Sequence, residues 1–165
     1  MSVLVAYFWP VFEAAFLIGV AALSVGINRS SRKLVIAAGL AAAVGVAAVW
    51  HGPGGAADRF AGQVERTARQ ALDYYEMTAV TAHLHHAPLT RELVLVGPAD
   101  DFQRGELVRL FSQLPGVSRV SWSDAGGGLP LIVEGIGAAA AGFLIGAVLA
   151  YLVELRRRYN AQWKW

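Results

Sequence analysis

Apolar residues fall in two different patterns along this chain. In three stretches they run on without a charged interruption: Trp9 to Ile27 (broken once, by Glu13), Leu34 to Trp50, and Gly135 to Val153. Each approaches the roughly 20 apolar residues that cross a hydrocarbon layer. Between the second and third stretch the pattern changes. Ala56 to Glu76 places Phe60, Val64, Ala68, Ala71 and Tyr75 at helical spacing. Thr78 to His85 alternates, with Val80, Ala82 and Leu84 on one face, and predicts a strand. Ala87 to Thr90 predicts a turn, and Arg91 to Val96 a second strand ending at Gly97-Pro98. Asp100 or Asp101 can cap a helix that carries Leu107, Leu110, Phe111 and Leu114 and stops at Leu114-Pro115-Gly116. Val117 to Trp122 predicts a third strand, with Val120 and Trp122 on its buried side. The prediction is an α-helical membrane protein with three transmembrane helices (9–27, 34–50 and 129–154). A small α+β domain, helix-strand-strand-helix-strand over 56–123, sits between the second and third span.

Composition sharpens this division. The chain of 165 residues is 56 % apolar and only 16 % charged, against about a quarter charged in a soluble domain. The region from His51 to Gly128 has a soluble protein's charge content, seven basic and nine acidic residues. There is no cysteine, hence no disulfide, thiolate metal site or cysteine nucleophile.

Charge placement predicts orientation. Arg29, Arg32 and Lys33 occupy the tight loop after the first span. Arg156, Arg157, Arg158 and Lys164 lie in the basic tail, 155–165, after the third. Three spans put both groups on one side, which the positive-inside rule makes cytoplasmic. The N-terminus and residues 51–128 then lie outside, in the periplasm if the membrane is a bacterial inner membrane. Met1 to Trp9 carries no charged side chain, unlike the start of a cleaved signal peptide. Trp9, Trp50, Tyr151, Trp163 and Trp165 fall near span ends or in the tail, where amphipathic rings settle at the headgroups. The alternative role for such rings is contact with a pigment, a quinone or a partner helix.

Two acids mark matching places. Glu13 follows Pro10, and Glu134 follows Pro130. Proline suits the first turn of a helix, and a carboxylate there is favoured by the dipole. The spacing therefore predicts capping near the outer interface. The other roles open to an intramembrane acid are proton handling and contact with a partner subunit. Gly142-Phe143-Leu144-Ile145-Gly146 has the small-xxx-small spacing that lets helices approach closely, within the chain or against another subunit.

Leu93-Val94-Leu95-Val96-Gly97, followed by an Arg-containing helix and then Leu114-Pro115-Gly116-Val117-Ser118-Arg119-Val120, resembles the BON domain of bacterial envelope proteins over residues 60–123. The family shows a strand ending in glycine, a helix, and a Gly-Val-x-x-Val strand opening. Pro98 departs from it. The resemblance implies a module that contacts lipid or envelope proteins, and it carries over no catalytic residue.

Other chemistry is thinly represented. His83 and His85 share a strand face at i, i+2, and Glu92 on the neighbouring strand is the obvious third ligand for a Zn or Cu site. The ordinary role of these histidines is solvation beside a turn. No phosphate loop, His-Glu-x-x-His, nucleophile elbow or nucleic-acid patch occurs. The sequence points to a non-enzymatic inner-membrane accessory or scaffold protein without a cofactor. Its expected partners are membrane lipids and other membrane-protein subunits. The alternatives are a proton-coupled or transport subunit using Glu13 and Glu134, or a periplasmic ligand or metal sensor.

Overall fold

The computed structural model describes residues 2–27, 30–123 and 126–162. In chain order they form α1 (Val3–Gly26), α2 (Arg32–His51), α3 (Ala56–Tyr74), β1 (Thr81–His86), β2 (Leu89–Val96), α4 (Asp101–Phe111), β3 (Arg119–Ser121) and α5 (Leu131–Gln162). Three helices, α1, α2 and α5, are long and apolar enough to cross a membrane. The architecture is mostly helical with a small three-stranded sheet, and it is compatible with a membrane protein. The helix total among the described residues is five rather than three, because α3 and α4 lie within the small domain. In that count the strands follow the third helix instead of lying between the second and third.

The chain divides into two compact units. One comprises residues 8–53 and 135–165, and its centre is a cluster of small side chains. Val11, Ala15, Ala22, Ala43, Ala47, Ala139 and Phe143 are buried, with Ile18, Val35, Ile36, Trp50 and Ile136 packed against them. Glycine brings α1 and α5 into backbone contact. A Cβ on Gly142 would run into the Phe12 carbonyl, one on Gly146 into that of Phe16, and one on Gly19 into that of Phe143. Contacts rising together, 12 with 142 and 16 with 146, mean that α1 and α5 run parallel. α2 runs against them, since Gly39 lies beside Ala22 while Gly26 lies beside Val35. Lipid tails are as apolar as leucine, so helices gain from meeting there only by close packing.

The other unit comprises residues 1–7 and 54–134. Its sheet has the order β1-β2-β3, antiparallel between the first two and parallel between the last two. Buried Leu84, Leu93 and Leu95 lie on one sheet face. α3 packs on β1 through a face of Phe60, Ala61, Val64, Ala68 and Leu72, and α4 on β3 with Leu107 and Phe111 buried. Tyr75 was expected on the α3 face. Instead the row at spacing four ends at Leu72, the helix ends at Tyr74, and Tyr75 is exposed. Asp100 caps α4 in a full capping box with Gln103. β3 is shorter than its predicted run, and Val120 and Trp122 are half-buried. The Trp122 indole donates to the Arg104 carbonyl at 3.3 Å.

Two ends of long helices belong to this second unit. Val3 and Tyr7 of α1 are buried in it, and the Tyr7 ring meets Phe60 edge-on at 5.6 Å. Gly116 has φ +104, and a Cβ there would come within 2.9 Å of both Val3 and Val64. The tight Leu114-Pro115-Gly116 stop thus also seats the start of α1. On the other side, Pro130 bridges Thr90, and Leu131, the first residue of α5, is fully buried.

These contacts account for a difference from the sequence reading. Pro10 does not open a helix: α1 begins at Val3 and runs through it. Burial of Val3 and Tyr7 outweighs the lost backbone bond, and membrane helices tolerate proline more readily than soluble ones.

The glycine seam gives a direct test. Gly146→Leu should lower the thermal midpoint in mild detergent by several degrees, whereas Gly45→Leu, where a Cβ meets nothing within 4 Å, should shift it little. Scanning both variants by circular dichroism checks this.

Candidate functional site

Three places bring chemistry-bearing residues together. The first is the sheet face opposite α3 and α4. Along β2, Thr90, Glu92 and Val94 alternate onto this face and all are buried. A carboxylate at such a position must find donors or be neutralised. Glu92 Oε2 accepts the Gly127 backbone N–H at 2.6 Å, and Oε1 has no partner. Arg119 is its neighbour in the parallel register, and the guanidinium also lies beside Gly127. The glycine segment before α5 is therefore a strap across the sheet. Gly126 lies near the His85 ring, Gly127 near Glu92, and Gly128 near Thr90.

The histidines sit at the rim of this face. The β1–β2 register shifts between Leu84 and His86. His85 Nε2 lies 3.1 Å from the Ala87 carbonyl, and His86 Nε2 lies 3.0 Å from Glu65 Oε1. Glu65 also accepts the Leu84 N–H at 2.9 Å, so an α3 carboxylate protects a backbone donor of the edge strand. His83 is half-buried. Among the described residues no group of three His, Cys, Asp or Glu side chains could hold a metal ion. Glu92, the expected third ligand, is turned to the strap.

The second place concerns the two acids, whose surroundings differ. Glu134 stands in the first turn of α5, as its proline predicts. Its carboxylate also meets Arg91 of β2, with Nε 2.9 Å from Oε2 and 3.1 Å from Oε1. Both side chains are about three-quarters buried, at 24 % and 21 % exposure. No local sequence rule pairs Glu134 with Arg91, which reaches it from β2.

Glu13 is not a capping residue. α1 starts ten residues earlier, and its first turn holds no acid. Glu13 is exposed on a face shared with Val5, Trp9 and Leu17, and no described residue gives it an ion pair or hydrogen bond. An uncompensated charge at the centre of a membrane helix costs about 2.5–3.5 kcal/mol on insertion scales. Beside it, Trp9 stacks on Phe12 at 5.6 Å.

The third place is a groove of about 450 Å³ on the domain. Tyr75, Met77, Phe102, Leu107, Leu110 and Arg109 are among its lining residues. Phe102 and neighbouring Tyr74 are 79 % and 81 % exposed.

The remaining sequence candidates are placed as follows. Gly142 and Gly146 pack against α1 of the same chain. Trp50 packs on the helix cluster, while Trp9 and Tyr151 are half exposed. Arg156, Arg157 and Arg158 extend α5 on its exposed surface. Arg29, Trp163, Lys164 and Trp165 lie outside the described residues. Comparison with family models, curated proteins and solved structures finds no match to this chain.

The Arg91–Glu134 pair is partly desolvated, so removing one partner should matter more than at a surface pair. Glu134→Ala should lower stability by about 1–2 kcal/mol. Arg91→Ala should do the same, and the double variant should lose less than the sum. A double-mutant cycle on detergent-solubilised protein measures this coupling.

Proposed function

We propose that this chain is a non-enzymatic accessory subunit of a larger membrane assembly, held in a bacterial inner membrane. The observation that carries the reading is Glu13. It is a carboxylate on the outward face of a helix apolar enough to span a membrane, with no partner among the described residues. An acid so placed is accounted for by a hydrogen-bond donor or a cation on a neighbouring transmembrane helix. Within this chain the corresponding need of Glu134 is met by Arg91.

The helix cluster supports the orientation in this reading. Parallel α1 and α5 with antiparallel α2 bring the start of α2, with Arg32 and Lys33, to the same end as Arg156 to Arg158. That end is cytoplasmic by the positive-inside rule. The N-terminus and the small domain are then periplasmic. The helix-strand-strand-helix-strand order and the mixed three-stranded sheet support the likeness to a BON module. In this role the domain's aromatic groove is a second contact for envelope proteins or lipid.

A domain whose core contains the first turns of two long helices suits scaffolding. Val3, Tyr7 and Leu131 are buried in that core. The transport reading has less support, because Glu134 is committed to an arginine.

Purification of the full chain from its native membrane in mild detergent tests the proposal. A complex of defined composition is expected, and Glu13→Leu should cut its recovery by about 3–30-fold, the worth of one interhelical polar contact. A monomer carrying only bulk lipid, or a complex indifferent to the substitution, contradicts it.

A further inference from the structure

The α1–α5 contact has an end. The two helices touch through backbone as far as Gly146, and beyond it the facing residues become larger. Val20 and Ser24 on α1 and Leu149, Val153, Glu154 and Arg157 on α5 are among the residues lining a groove of about 300 Å³. Helices that meet at paired small residues cross at an angle and diverge on either side. The groove is the opening of that divergence.

Its chemistry is graded along its length. Val20, Leu149 and Val153 make an apolar trough. Ser24 and Arg157 supply a hydroxyl and a guanidinium toward one end. From Gly135 to Arg157 is about 33 Å of helix, a little over one hydrocarbon thickness. Given that α5 spans the membrane, Arg157 stands at headgroup level. Glu154, the one acid in the lining, is engaged by Arg158 at 2.9 Å and is 3.9 Å from Arg157. Arg157 itself is 82 % exposed and keeps donors for another anion.

We propose that this groove binds one anionic glycerophospholipid. An acyl chain lies along Val20, Leu149 and Val153, and the phosphate is held by Arg157 and Ser24. This site is distinct from the Glu13 face and does not depend on any protein partner. The Arg157 guanidinium, with Glu154 taken up by Arg158, recognises an acidic headgroup by charge, and the apolar trough holds the lipid in place.

The test uses the full-length protein in mild detergent with an equimolar mixture of phosphatidylglycerol and phosphatidylcholine. Lipid retained through gel filtration is quantified by mass spectrometry. About one phosphatidylglycerol per chain is expected, in clear excess over phosphatidylcholine. Arg157→Gln should lower retention about five-fold, whereas Arg156→Gln, the same charge change outside the groove, should leave it nearly unchanged. Val153→Trp should fill the trough and abolish retention with the charge intact. Glycerol phosphate, which lacks acyl chains, should not displace the lipid. Equal losses in the two arginine variants, equal retention of the two lipids, or displacement by glycerol phosphate would each overturn the proposal. Full retention in a folded Val153→Trp protein would do the same. If that variant does not fold, the arginine comparison alone decides.

Discussion

Backbone contact between α1 and α5 is the constraint on which the helical part of this protein depends. In lipid, burial of apolar surface gives helices no reason to associate, so contact distance sets the energy. Gly19, Gly142 and Gly146 remove the side chains that would hold the helices apart. The rest follows from that seam. It makes α1 and α5 parallel, sends α2 back between their ends in sequence, and collects the basic residues at one end. It also ends where the side chains enlarge, which leaves the groove beside Arg157.

The small domain obeys a different physics. Its core is assembled by burying one face of α3 against β1 and by starting α4 with a local cap. Asp100 with Gln103 starts α4, and Leu114-Pro115-Gly116 ends the following turn. The starts of α1 and α5 are part of this assembly, with Val3, Tyr7 and Leu131 buried and Glu134 paired to Arg91.

Much of this is legible in the residues, and the exceptions have physical causes. The three apolar helices, the domain's element order and the α4 cap follow from periodicity and local capping, both of which act over a few residues. The start of α1 does not, because Val3 and Tyr7 become helical through burial against Phe60 and Gly116, residues far along the chain. Proline at position 10 gave a local signal that tertiary packing overrode. The Arg91–Glu134 pair spans 43 positions and no local rule points to it. For Glu92 the alternation of β2 placed it with Thr90 and Val94, on the face opposite Leu93 and Leu95. The cover of that face, the Gly126–Gly128 strap, reads in the sequence only as a hinge.

In the proposed assembly the face of α1 bearing Glu13 is occupied by a helix of another membrane protein. Site-specific photo-crosslinking from Leu17, which is 65 % exposed on that face, tests it most directly. One defined heterologous adduct is expected in native membranes, absent when the probe is moved to Val148 of α5 and reduced in a Glu13→Leu background. Crosslinks to lipid alone, or the same adducts from both positions, would contradict it.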